Sequence, residues 1–251
     1  MKLEEKNIIS ERSYKKVYQS EDKIIKVFEK THPKADVFNE ALNQARIEET
    51  GLEIPKILEV TQVEDKWALV LECKHGQTLE KLMNERTQQV GEYMEQFVEL
   101  QLLIHEKKAP LLTKLKDKLV RQINSLKEVD ATTRYELLTR LDGMPKHTKV
   151  CHGDFNPSNV IVDEDGNMTI LDWSHATQGN ASADAAMTYL LFALKDETLA
   201  AQYMELFCKK SDTPKQYVQQ WLPIVAAAQL TKDNELEKEF LMKWIDVVDY
   251  Q

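Results

Sequence analysis

Glycine and proline are scarce in this chain of 251 residues, with seven of each. No glycine precedes Gly51, so a glycine-rich loop that lets backbone approach a phosphate is missing from the N-terminal part. Cysteine is scarcer still. Cys73, Cys151 and Cys208 lie far apart, odd in number and in no CxxC pair. That spacing suggests neither a disulfide framework nor a zinc site, and leaves the expectation of buried, inert thiols. No apolar run approaches the eighteen or so residues of a membrane span. The opening MKLEEKNII lacks the regions of a signal peptide, and a cytosolic location is expected. Internal repeats, low-complexity tracts and long linkers are absent too.

Positive charge is in deficit. The net charge of −9 argues against nucleic acid or an anionic membrane as the main partner, and would suit a cationic small molecule. The other proportions, 42% hydrophobic and 30% charged, are ordinary for a globular protein long enough to bury a full core in one domain or two lobes.

Along the chain the pattern changes once. The first third reads as β, β, α, β, β. SYKKVYQ (residues 13–19) and KIIKVF (23–28) predict two strands around the turn Ser20-Glu21-Asp22. A helix is expected over about 33–50, with Pro33 in its first turn, Gly51 as its C-cap, and Val37, Ala41 and Ala45 as an apolar stripe. Residues 57–63 and 66–72 predict two more strands. From about Leu79 the spacing is helical. Met94, Phe97, Val98, Gln101, Leu102 and His105 form one core face, and Leu112, Leu115, Leu119, Ile123 and Leu126 another. From about Ala183 the chain again reads as helical. The expected organisation is a β-rich lobe over residues 1–73 and a larger, mainly helical lobe over 74–251, with a nucleotide in the cleft between them.

The helical trend is interrupted by KVCHGDFNPSNVIVDEDGNMTILDW, residues 149–173. Three short strands are expected there, at 150–151, 159–162 and 168–171, with the turn Asp163-Glu164-Asp165-Gly166-Asn167 joining the last two. Asp154 and Asn159 are five residues apart, and Asp172 follows thirteen residues later. Phosphoryl transfer from a nucleotide needs those residue types in that order: a carboxylate to receive a hydroxyl proton, then two ligands for hard cations. A lone loop aspartate would be a turn residue. The conjunction with the asparagine, the hairpin and a strand ending in Leu171-Asp172-Trp173 is what makes the segment specific.

The HGDxxxxN loop followed by Asp-Trp resembles the aminoglycoside phosphotransferase/choline kinase family, a branch of the protein-kinase-like fold. Protein kinases carry HRDxxxxN and DFG in the corresponding places. Gly153 and Trp173 resemble the small-molecule branch instead. The resemblance implies an α+β, bilobal protein-kinase-like fold, with a small β-rich N-lobe and a larger mainly helical C-lobe. It also implies Asp154 as the catalytic base, and Asn159 and Asp172 as ligands of Mg2+ bridging the phosphates of ATP or GTP. Lys26, an ammonium inside an apolar strand, matches the kinase strand lysine that pairs with the α/β-phosphates. Glu40 is its expected ion-pair partner. Glu48 and Glu49 are rivals at the end of the helix, where a carboxylate opposes the helix dipole.

The segment after residue 71 resembles the family's hinge, so Glu72 and Lys74 are expected to offer backbone groups to an adenine edge. Ser13, beside the glycine-free loop, is the expected phosphate contact. His152 is expected to brace the catalytic loop, and Asp184 to cap a helix and brace the same loop. The acidic residues Glu235, Glu237, Glu239, Asp246 and Asp249 could help bind a cationic acceptor, though a solvated helix face explains them as well.

The function implied is a kinase acting on a hydroxyl of a small, possibly amine-bearing acceptor such as an aminoglycoside or amino alcohol. The partners are then a nucleoside triphosphate and that acceptor, with no nucleic acid or membrane. The alternative is a catalytically silent, nucleotide-binding regulatory module of the same fold. A protein-serine kinase is disfavoured, because no Ala-Pro-Glu segment follows Asp172.

Overall fold

The structure, a computed structural model, describes residues 4–245. Asp246 and Asp249 of the acidic tail therefore lie outside the described residues. The fold is mixed α+β, as expected, and divides into two compact units. The first takes in the chain up to Thr87 together with Pro157–His175. The second comprises Gln88–Asn156 and the chain from Ala176 onwards. Among the described residues no helix is long and apolar enough to cross a membrane.

The first unit is built on five strands: β1 (Ile8–Arg12), β2 (Lys15–Ser20), β3 (Lys23–Phe28), β4 (Ile57–Val63) and β5 (Lys66–Glu72). They form one antiparallel sheet in the order β1-β2-β3-β5-β4. The sequence reading lacks β1 and starts its first strand two residues early, at Ser13. IISER buries nothing fully, so it carries no apolar alternation to announce a strand. The two tight turns are where expected, with Glu21 at φ 51° and Glu64 and Asp65 at φ 50° and 61°.

Alternation along β3 gives the sheet two different faces. Ile25 and Val27 pack with Val63, Ala68 and Val70 on one side. Phe28 and Leu69 face the other way, against Val37 and Ala41 of helix α1 (Lys34–Glu48). Lys26, at the same parity as Phe28, shares that second side. Pro33 stands at the N-cap of α1, one position before the first turn expected for it, and Gly51 turns the chain at φ 73° just beyond the helix. Asn43 of α1 donates to Ser174 O at 3.2 Å, and Gln44 to Pro55 O at 2.5 Å. These two bonds fix the helix to the segments on either side of it.

The unit is completed by β6 (Gln77–Thr78), α2 (Leu79–Glu85), β8 (Val160–Val162) and β9 (Met168–Ile170), in a small sheet ordered β6-β8-β9. Asp163 Oδ1 accepts from the amides of Asp165 and Asn167, which closes the β8–β9 turn. Gly76 has φ 146°, and a Cβ there would sit 2.2 Å from Val162 O, so only glycine lets the chain enter β6.

The second unit is helical: α3 (Val90–Glu106), α4 (Leu115–Ser125), α5 (Ala131–Gly143), α6 (Ala181–Ala193), α7 (Glu197–Ser211), α8 (Lys215–Gln219), α9 (Leu222–Leu230) and α10 (Glu235–Ile245). Phe97, Phe155, Phe192 and Tyr203 stack at its centre. β7 (Lys149–Cys151) pairs with β10 (Thr177–Gly179) and not with the neighbouring hairpin. Three residues ending in glycine give no strand signal, so β10 has no counterpart in the sequence reading. Cys73 and Cys151 are buried and Cys208 is half-buried. Burial pushes all three thiols up, away from the reactive thiolate.

Candidate active site

In the first unit, Lys26 Nζ lies 2.6 Å from Glu40 Oε1 and 3.1 Å from Asp172 Oδ1. Of the three glutamates weighed for this role, Glu40 is the one in place. Glu48 is engaged elsewhere, its Oε1 accepting from Ile57 N at 2.7 Å, and Glu49 is exposed. Burial pushes the Lys26 ammonium down, but Asp172 and Glu40 more than reverse this and raise it. Burial likewise pushes the Asp172 carboxyl up, and Lys26 and Lys15 together hold it well below the usual carboxylate range. Asp172 sits at φ 57°, a left-handed conformation that aspartate tolerates better than most residues. Trp173, buried just after it, donates its indole N–H to Ile170 O at 3.3 Å and holds the turn.

Asn159 comes to the same end of the hairpin. Leu171 N donates to Asn159 O at 2.8 Å, which ties the residue before Asp172 to Asn159. An amide oxygen and an ionised carboxylate are hard oxygen donors, the type that Mg2+ selects.

Lys15 has no place in the sequence reading. Its ammonium is 3.9 Å from Glu40 and 3.8 Å from Asp172, and the residue is only 4% exposed. The β2–β3 register explains this. Lys15 pairs with Phe28 and Val17 with Lys26, so both lysines share one face. The available signal was parity along β2 counted from Lys26 across the turn, and the missing β1 obscured it.

This face lines a cavity of about 480 Å³, a size suited to a small ligand. Lys15, Lys26, Asn159 and Asp172 line it, as do Glu72 and Lys74 of the expected hinge. Glu72 N donates to Lys56 O at 2.9 Å, so that amide is already engaged within the protein. Lys74 Nζ is paired with Glu53 at 3.0 Å and Glu72 at 3.3 Å. Ser13 sits on the exposed β1–β2 turn. Ser10, Arg12 and Lys15, its near neighbours in sequence, line the cavity instead.

In the second unit, Asp154 follows β7 in an irregular loop held from beneath. Asp154 N donates to His152 Nδ1 at 3.2 Å, and His152 is fully buried. Gly153 N donates to Asp184 Oδ1 at 2.7 Å. The other Asp184 oxygen faces His105 Nε2 at 2.9 Å and accepts from Gln101 Nε2 at 3.4 Å. Burial pushes the Asp184 carboxyl up, but His105 and the loop amide hold it below its ordinary value. Asp184 thus braces the loop, as expected. It does not cap a helix. Asn180 caps α6, its side chain accepting from Ser182 N, and Asp184 stands in the first turn. Lys232, which carries no signal in the sequence, places its Nζ 3.0 Å from Asp154 Oδ1.

A model of the phosphotransferase enzyme family matches residues 8–217. The chain belongs to that family. No curated protein matches it, whereas many solved structures share its fold. This phosphotransferase is 15% identical to a thermostable mutant of aminoglycoside phosphotransferase APH(4)-Ia, at a TM-score of 0.71 over 95% of this chain and 92% of that one. A ternary complex of a related mutant with AMP-PNP and hygromycin B matches at 0.68 and 15% identity, over 95% and 89% of the two chains. Choline kinase LicA from Streptococcus pneumoniae matches at 0.65 and 13% identity, over 95% of this phosphotransferase and 92% of that chain. At such identities the likeness is one of fold.

Proposed function

We propose that this phosphotransferase is a Mg2+-dependent kinase that moves the γ-phosphoryl group of ATP or GTP to a hydroxyl of a small molecule. The observation that carries the reading is the buried Lys26–Glu40–Asp172 cluster on the wall of a ligand-sized cavity. Asn159 and Asp172 would hold the metal, which when bound neutralises phosphate charge. Lys26 and Lys15 hold the phosphate oxygens, with Lys15 supplying from a strand what a glycine-rich loop supplies through its amides. The hinge carbonyl of Glu72 and the backbone of Lys74 orient the base. Asp154 takes the proton of the acceptor hydroxyl as its oxygen bonds to phosphorus and the bond to the β-phosphate oxygen breaks, releasing the nucleoside diphosphate.

The division of labour expected between residues 1–73 and 74–251 is extended in this reading by the hairpin segment 157–175, which works with the nucleotide. A cytoplasmic site of action belongs to the same proposal. A silent nucleotide-binding module is the alternative. Release of ADP or GDP, assayed with Mg2+ against a panel of hydroxylated metabolites, separates the two. Acceptor-stimulated release supports the kinase, and nucleotide binding without release across the panel supports the module.

Lys15→Met should raise the KM for nucleotide about tenfold, since one charge-assisted contact to phosphate is lost. Saturation curves at fixed acceptor measure it. A variant with the wild-type nucleotide KM removes Lys15 from the phosphate site.

A further inference from the structure

Helix α1 carries two of the contacts that set Asp172. Glu40 holds Lys26 at 2.6 Å, and Lys26 in turn holds Asp172 at 3.1 Å. Asn43 stands three residues further along, on the same face of the helix, and reaches the backbone beyond Asp172 directly. Its side-chain amide donates to Ser174 O at 3.2 Å. Ser174 lies in the short 3-10 turn Trp173–His175, against which α1 packs. All of these residues belong to the first compact unit.

Stability alone does not account for an asparagine at this position. The residue is 3% exposed, and its side-chain oxygen finds no partner among the described residues. Burying an amide with one end unpaired is costly, and an apolar side chain of similar shape would pack there at lower cost. What the amide does supply is a fixed point for a strained backbone. Asp172 has φ 57°, and an aspartate stays in that left-handed region only where its surroundings hold it there. On the hairpin side two bonds do so: Leu171 N donates to Asn159 O at 2.8 Å, and the Trp173 indole to Ile170 O at 3.3 Å. Asn43 holds the other side of Asp172, and it does so from outside the hairpin.

We propose that Asn43 is a positioning residue for the metal. It ties the Asp172 turn to the helix that also carries Glu40, so one element sets both the phosphate lysine and the metal carboxylate. Asn43 acts through Asp172 and not on the ion itself. A carboxylate turned away from its ligating direction loses affinity for the metal. Removing a group that orients such a ligand weakens metal binding about tenfold to a hundredfold. This assignment deepens the kinase reading and rests on it.

The test uses Mn2+ in place of Mg2+, on protein saturated with a non-hydrolysable ATP or GTP analogue. Binding is read as loss of the free-ion signal in electron paramagnetic resonance. Asn43→Leu keeps the shape of the side chain and removes the donor. Asn43→Ala removes the donor by a second route. Val63→Ala, a core truncation on the opposite face of the sheet, controls for lost stability alone. The expected result is Mn2+ binding about tenfold to a hundredfold weaker in both Asn43 variants, with the wild-type affinity kept in Val63→Ala. Backbone amides of residues 171–176 should also exchange faster in the Asn43 variants than in wild type. Unchanged Mn2+ affinity in both Asn43 variants overturns the proposal and leaves the kinase reading standing, as does an equal loss in Val63→Ala. Wild type that binds no Mn2+, or binding that survives Asp172→Asn, sinks the metal site of the kinase reading itself.

Discussion

Asp154→Ala is expected to lower kcat by about 10²- to 10⁴-fold, the usual contribution of a positioned general base, with nucleotide affinity unchanged. The two effects separate because Lys15, Lys26, Asn159 and Asp172, the groups proposed to contact the nucleotide, belong to the first compact unit, and Asp154 to the second. Nor should the fold suffer. The ion pair with Lys232 is partly open to solvent, with the lysine side chain 32% and the aspartate side chain 16% exposed, so its loss costs about 1–3 kcal/mol, small enough to leave the protein folded. The loop itself is held by His152 and Asp184 through backbone amides that the substitution leaves in place. Single-turnover rates and equilibrium nucleotide binding, taken on the same preparation, measure the split. A variant that keeps the wild-type rate removes Asp154 from the chemistry.

Asp184→Ala should be the more damaging change to stability. The carboxylate is 2% exposed and faces Gly153, His105 and Gln101 at once. Taking away one member of a buried, charged network strands its partners, at a cost of about 3–5 kcal/mol. For a chain of this length that lowers the unfolding midpoint by roughly 10 °C. Activity should fall too, because Gly153 N loses the acceptor that fixes the loop next to Asp154.

The pH dependence has a definite sign. A carboxyl held below its ordinary value of 3.8 in the folded protein stabilises the fold fully above that value. This contribution is lost as the pH falls through the depressed folded-state value. Urea midpoints of wild type and Asp184→Asn should therefore differ at neutral pH and converge below about pH 4. Midpoints that stay equal at neutral pH would show that the charge at Asp184 carries none of the stability.

Legibility in the sequence followed locality. Strands β4 and β5, rich in apolar and β-branched residues, appear with the bounds read from the sequence, and so does the turn between β8 and β9. The segment carrying Asp154, Asn159 and Asp172 was readable because at most seventeen residues separate any two of them; the roles given to the three belong to the proposal. Lys26 and Glu40 were readable from an ammonium in an apolar strand and a family spacing. Strand β1 was hidden by its exposed, polar residues, and its absence from the reading drew attention to Ser13 and away from Lys15. Asn180 hid behind Asp184, since both are good capping residues and only the helix start at Ala181 distinguishes them. Lys232 had no local signal at all. It stands at the end of an all-apolar helix, 78 residues from Asp154, and only packing brings the two together.

The Lys232–Asp154 pair also bears on thrift. A kinase whose base is always ready can deprotonate stray water and waste nucleotide when no acceptor is bound. Here the oxygen proposed to take the proton is engaged at 3.0 Å by the Lys232 ammonium, which would have to let go before a hydroxyl could reach it. On the proposed kinase reading, idle hydrolysis would be held down until a bound acceptor displaced that lysine, and Lys232→Met would raise nucleotide hydrolysis in the absence of acceptor.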